Sequence, residues 1–147
     1  MSLQGRSMAL DVGDVRIGVA VSDPLGMISS PHSVIQTVSP KKDVEAVRVL
    51  AESLEVKRIV VGLPLNKEGK PGPQAEKILA FCERLKGVTE IEIHTQDERF
   101  STAEAQRMLI AADVSRQGRK KVVDKIAAQF ILQTFLDRQS RSQSGTS

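Results

Sequence analysis

Met8-Ala9-Leu10-Asp11-Val12-Gly13-Asp14-Val15-Arg16-Ile17-Gly18-Val19-Ala20-Val21-Ser22 holds two apolar, β-branched runs separated by a short loop of turn residues. Met8 to Val12 and Arg16 to Ser22 therefore predict an antiparallel hairpin across Gly13-Asp14-Val15. Its first strand carries Asp11, a carboxylate among apolar neighbours, where a charge is costly unless it caps a turn or binds something. Working outward, Asp23-Pro24-Leu25-Gly26 predicts a turn and Ser33 to Val38 a third strand. Ser39-Pro40 opens a helix, with Ser as N-cap and Pro in the first helical position, and Val44, Val47, Leu50, Ala51 and Leu54 give it one apolar face.

Arg58-Ile59-Val60-Val61-Gly62-Leu63 is a short continuous apolar run, the pattern of a parallel strand covered on both faces. A loop from Pro64 to Gly72 precedes a helix that begins at Pro73, turns Ala75, Ile78, Leu79, Cys82 and Leu85 inward and stops at Gly87. Glu90 to Thr95 alternates with period two and reads as an edge strand. Ser101-Thr102-Ala103-Glu104 is a capping box that starts a helix to about Ala112, and a last helix spans Val123 to about Arg138. The expected architecture is a single α/β domain over residues 8–138, with a leader at 1–7 and a disordered Ser/Gln/Arg-rich tail at 139–147. Its mixed sheet of five strands has three joined by antiparallel hairpins and two reached by right-handed crossovers.

Composition narrows the function. The 147 residues are 40% hydrophobic and 27% charged, enough for a sizeable core. The longest apolar stretches are about five residues, far short of the roughly 20 that span a bilayer, and the N-terminus lacks a secretory pattern, so the expected location is the cytoplasm, with no membrane partner. A single cysteine, Cys82, and two distant histidines, His32 and His94, leave only hard cations on oxygen ligands as candidate metals. The net charge is +3, yet Arg116, Arg119, Lys120, Lys121 and Lys125 outnumber Asp124 within ten residues for a local +4. Such a cluster suits a polyanion, and without Trp or Tyr a base-stacking platform is not expected. Gly62 to Lys70 has the wrong spacing for a phosphate-binding P-loop. Cys82 reads as core and His94 as an exposed strand residue.

Three carboxylate positions stand out. Besides Asp11, Asp97-Glu98 ends the fifth strand directly before a helix N-terminus. Asp124 precedes Ala127, Ala128 and Ile131 at helical spacing and so falls on the apolar face of the last helix. Singly these are a turn cap, a surface ion pair and a helix cap. Carboxylates from separate elements beside a basic segment also fit paired hard cations that clamp a scissile phosphate.

Leu10 to Asp23, Val61-Gly62-Leu63-Pro64 with Gly69 and Gly72, Asp97 to Thr102 and Asp124 to Gln133 resemble, in order and spacing, the motifs of the YqgF/RuvX family of pre-16S rRNA nucleases, formerly described as Holliday junction resolvases. The resemblance spans about residues 8 to 138. It implies an RNase H-like fold with sheet order 3-2-1-4-5 and a magnesium or manganese site made by Asp11, Glu98 and Asp124. It also implies that Gly13, Arg16 and Gly18 shape the first turn, that Arg99 lies beside the cut phosphate, and that the partner is structured RNA such as pre-rRNA, or branched DNA cut by a homodimer. Arg16, Arg99, Arg116, Arg119, Lys120, Lys121 and Lys125 are the expected substrate-binding cations. One element of the pattern conflicts with this assignment. Counting by twos from Ile91 puts Asp97 rather than Glu98 on the apolar face, so Glu98 requires a change of phase at the strand end.

Overall fold

In the computed structural model, residues 5–65, 68–97 and 116–145 are described, with the side chains of 116–124 and 140–145 set aside. The central strand β1 (Arg6–Val12) pairs antiparallel with β2 (Arg16–Ser22), which pairs antiparallel with β3 (Ser29–Gln36). Helix α1 (Pro40–Ser53) crosses to β4 (Val56–Leu63), and α2 (Pro73–Lys86) crosses to β5 (Glu92–Asp97), each strand lying parallel to its inner neighbour. The long helix α3 (Arg116–Gly145) closes the described chain. The sheet order is β3-β2-β1-β4-β5, the RNase H-like order expected, with β5 at an edge.

Both faces of the sheet are covered. Met8, Leu10, Ile17, Val19, Ile59 and Val61 form one core with Val44, Val47 and Ala51 of α1 and Ile78, Phe81, Cys82 and Leu85 of α2. Ala9, Ala20 and Val60, on the opposite face, pack under Ala128, Ile131, Leu132, Phe135 and Leu136 of α3. Small residues on this second face let the helix approach closely. Burial pushes the Cys82 thiol up, as suits a core cysteine. Among the described residues no helix is long and apolar enough to cross a membrane.

Several boundaries move for identifiable reasons. β1 begins at Arg6, because Ser7 is buried and held on both sides: its N–H donates to Ser22 Oγ and its Oγ accepts from Arg58, each at 2.9 Å. β3 is shifted toward the N-terminus, since it follows β2 along its whole length from Ser22–Ser29 to Arg16–Gln36, with a bulge at His32 and with Pro31 tolerated on an edge. Val38 leaves the ladder to donate to Asp43 Oδ1 at the entry to α1, whose N-cap is Ser39 as expected. In α2 the inward residue is Phe81, while Leu79 is partly exposed. α3 begins at Arg116, so the basic segment is helical, and its helix runs on through 139–145. The expected helix from Ser101 lies outside the described residues.

Two turns carry the hairpins. The β2–β3 connection is tied by Asp23, whose Oδ1 accepts from the Met27 and Ile28 N–H groups at 2.8 and 2.9 Å, with Gly26 in the left-handed region at φ 70°. These hydrogen bonds, that from Ile28 foremost, hold the Asp23 carboxyl below its ordinary value of 3.8. In the β1–β2 turn the Gly13 N–H donates to the Arg16 carbonyl at 2.9 Å, and a Cβ on Gly13 would lie 2.9 Å from that same oxygen.

Gly13→Ala must therefore push the backbone of the first turn apart. We expect it to lower the stability of the protein by about 1–3 kcal/mol in denaturant unfolding, the usual cost of forcing extra volume into a packed site. An unchanged midpoint would show that the turn yields freely. Because the Asp23 carboxyl is lowered, its contribution to the loop is present above pH 3.8 and lost as pH falls through its folded value. An NMR titration should show the Met27 and Ile28 amide resonances moving together with a midpoint below 3.8; a midpoint above it contradicts the assigned hydrogen bonds.

Candidate active site

Asp11 takes its direction from strand alternation. Leu10 belongs to the core under α1 and α2, and Ala9 to the core under α3. Asp11, two residues past Ala9, lies on the α3 face, half-buried. Its antiparallel partner is Gly18. On its other side the ladder with β4 ends one residue earlier, at the pair of Leu10 and Val61. At this level Val34, Gly18 and Asp11 pair across β3, β2 and β1, and Gly62 pairs with Gln96 across β4 and β5. Cross-strand Cβ atoms stand about 4.5–5.5 Å apart, so a side chain at position 18 would crowd the carboxylate. Glycine at both 18 and 62 places no side chain there, and both are buried.

Arg16, two residues before Gly18 on β2, shares this face and is half-buried. Lys125 on α3 is half-buried as well. Asp124 lies in the helix one turn before Ala128, which packs with Ala9, Ala20 and Val60. Arg116 and Lys120 precede Asp124 at four-residue spacing, the spacing of one helix stripe. The side chains of Asp124, Arg116, Arg119, Lys120 and Lys121 lie outside the described residues, as do Glu98 and Arg99 altogether. Among the described residues no group of three acidic, His or Cys side chains converges. Asp11 is thus the described member of the expected carboxylate set, and Asp124 is represented by its place on the helix.

The phase conflict at the end of β5 has a structural answer. Ile93 pairs with Ile59 and Asp97 with Leu63, all on the α1–α2 side, whereas His94 pairs with Val60 and Gln96 with Gly62 on the α3 side. The sheet has two apolar faces, and Asp11 belongs to the one that Ile91 does not mark. No change of phase is needed for an even-numbered residue of β5 to share the face of Asp11. His94, expected to be exposed, is half-buried against Phe135 of α3, with ring centroids 5.4 Å apart.

Two glutamines bind α3 to the sheet. Gln133 Oε1 accepts from the Ser29 N–H at 3.0 Å and its Nε2 donates to the Met27 carbonyl at 3.1 Å. Gln129 Nε2 donates to the Ser29 carbonyl at 3.3 Å, and Ser29 Oγ donates to the Gln129 carbonyl at 2.9 Å. These contacts fix the axial position of the helix that carries Asp124. Sequence reasoning assigned neither glutamine a role; the available signal was two amides spaced four apart within an apolar helix. Gln96 was missed too. It is a polar residue at only 6% exposure, and among the described residues its Nε2 has no hydrogen-bond partner.

Comparison with known proteins agrees with the fold. A protein from Clostridioides difficile named "Putative pre-16S rRNA nuclease" is 50% identical over 135 residues, which cover 92% of this chain and 96% of that one. One of the same name from Desulforamulus reducens is 50% identical over 132 residues, covering 90% and 96%. Among solved structures, Thermus thermophilus RuvC in complex with a Holliday junction superposes with a TM-score of 0.58 at 10% identity, covering 93% of this chain and 97% of that one. The fowlpox virus Holliday junction resolvase superposes with a TM-score of 0.54 at 15% identity, covering 90% and 99%. At such identities the likeness is one of fold. The family model RuvX, described as Holliday junction resolvase, matches residues 5–138. With that match over nearly the whole chain and relatives at half identity, the chain belongs to the RuvX family.

Proposed function

We propose that this chain is a metal-dependent nuclease of the cytoplasm that hydrolyses phosphodiester bonds in processing the 5′ end of pre-16S rRNA. The observation that carries the reading is Asp11, a half-buried carboxylate near the end of the central strand, on the face shared with α3 and paired with Gly18. The names of the half-identical relatives supply the substrate class. Asp11, Glu98 and Asp124 would hold magnesium or manganese, hard cations for which carboxylate oxygens are the fitting donors. Glu98 is the carboxylate that the family resemblance assigns, and Asp97 pairs with Leu63 on the α1–α2 side, away from the face of Asp11. Held by those carboxylates, a divalent cation would supply Lewis-acid chemistry for phosphodiester hydrolysis.

The chain's own residues supply position and charge. Asp11 is held on the β2 side by its pairing with Gly18 and lies one residue past the end of the ladder with β4, near the end of β1. Arg16 and Lys125, on the strand and helix that flank the carboxylate, suit non-bridging phosphate oxygens, as does Arg99 beside Glu98. Arg116, Arg119, Lys120 and Lys121 lie on the same helix as Asp124 and suit the RNA backbone, which they would hold without reading its sequence. The second reading, a Holliday junction resolvase, has the description of the matching family model in its favour. It would use the same carboxylates but needs a symmetric homodimer to cut two strands.

Asp11→Asn, Glu98→Gln and Asp97→Asn, assayed with structured RNA and with four-way DNA junctions in magnesium, manganese or chelator, test the assignment. Loss of cleavage by at least about 100-fold is expected in the first two with little change in melting temperature, and near-parent activity in the third. Full activity of Asp11→Asn, or loss confined to Asp97→Asn, contradicts the proposed ligand set. Replacing Lys120 and Lys121 together by Gln should weaken RNA binding about equally across sequences and lower the slope of log affinity against log salt by roughly one unit per lost phosphate contact. Turnover at saturating RNA should fall far less, and an unchanged slope with unchanged affinity would remove these lysines from the interface.

A further inference from the structure

Val12 follows Asp11 by one residue and, by strand alternation, turns to the opposite face of the sheet, where it packs with the core under α1 and α2. There it lines a cleft of about 310 Å³ between these two helices and the β1–β2 turn, together with Gly13, Asp14, Gln74, Lys77 and Arg84. Gln74, Lys77, Phe81 and Arg84 recur at intervals of three, four and three, so they form one stripe of α2. Phe81 is buried, while Lys77 and Arg84 are exposed. The two cations are two helical turns apart, roughly 10.5 Å along the axis. Charges recur every few ångströms along a nucleic-acid strand, so cations at this spacing meet different phosphates. Two carboxylates share the cleft. Asp43 is committed to the entry of α1, where its Oδ1 accepts from the Val38 N–H at 2.8 Å. Asp14 stands 3.9 Å from Lys77, and the two side chains are 70% and 71% exposed. An ion pair so long and so open to water is weak and screened by salt, and a phosphate can take the place of its carboxylate.

We infer that this cleft is a second contact surface for the RNA backbone: Lys77 and Arg84 hold phosphates on the α1–α2 face of the sheet, and an arriving phosphate displaces Asp14 from Lys77. The inference rests on the reading of the chain as an RNA nuclease and extends it to a surface outside the carboxylate site. A strand that leaves Asp11 across the β1–β2 turn passes directly from the α3 face to the cleft, because Val12, Gly13 and Asp14 are at once the next residues of the chain and part of the cleft wall. The RNA therefore straddles the end of the sheet, with cations on both faces. Gln74, in the first turn of α2, adds an amide donor. Asp14 sets a limit on affinity, since its carboxylate competes with the phosphate for Lys77.

Binding of a structured RNA to the full chain, measured in chelator at several salt concentrations, tests this without cleavage or a bound cation. Lys77→Gln and Arg84→Gln should each lower the slope of log affinity against log salt by roughly one unit, and Lys77→Arg should keep the parent slope. Asp14→Asn should tighten binding by about 2- to 5-fold, and by less when combined with Lys77→Gln, because part of its effect is competition for that lysine. Lys86→Gln removes the same charge from α2 two residues beyond Arg84, on another side of the helix, and should leave the slope at the parent value. All four positions are exposed, so melting temperatures should stay near that of the parent. Parent-like slopes in both Lys77→Gln and Arg84→Gln overturn the inference, as does an equal drop in Lys86→Gln or weaker binding by Asp14→Asn. If the parent binds no structured RNA, the reading as an RNA nuclease fails and the cleft's role with it; if the parent binds and the Lys77 and Arg84 variants match it, only the role of the cleft fails.

Discussion

A carboxylate in the middle strand of a sheet covered on both faces is the constraint around which this protein is arranged. β1 is paired on each side and packed above and below, so apart from its ends nearly every position in it is apolar. Asp11 breaks that rule. A charge so placed is tolerable where its oxygens meet water, a cation or hydrogen-bond donors. Gly18, its partner on β2, is one local answer to this demand, since it places no side chain against the carboxylate at some cost to sheet packing.

The two cores divide the labour. The larger one, under α1 and α2, uses branched and aromatic side chains and fixes the crossovers that bring β4 and β5 to the far side of β1. The smaller one uses Ala9, Ala20 and Ala128, so that α3 lies close to the sheet on the face of Asp11. Gln129 and Gln133 then lock the helix against the start of β3 through polar contacts that specify one axial position, which apolar packing alone does less sharply. The Asp23 turn completes the lock, because it presents the Met27 carbonyl that Gln133 reads.

Much of this was legible in the chain. The hairpin, the Ser39-Pro40 helix start, the continuous apolar β4 and the edge position of β5 follow from periodicity and capping, which are local and leave a direct trace in residue order. The anomaly of Asp11 was equally visible, because a charge in an apolar strand needs no partner to be recognised as unusual. Strand ends were less legible: Ser29 and Ser30 join β3 only because β2 extends alongside them, and Ser7 joins β1 only because Ser22 and Arg58 satisfy it. Pairing of that kind has no signature in the segment itself.

What the sequence by itself determined is the set of elements, their order and the residue types able to hold a hard cation or a phosphate. Tertiary structure alone decided which face each residue occupies. Period-two counting tells two faces of a strand apart but does not say which face meets which helix, and in a sheet with apolar cover on both sides either choice looks reasonable. That is why counting from Ile91 favoured Asp97, whereas the register of β5 on β4 sets Asp97 with Leu63 on the α1–α2 side and Gln96 with Gly62 on the opposite one, a placement that exists only once strands separated in sequence are laid side by side.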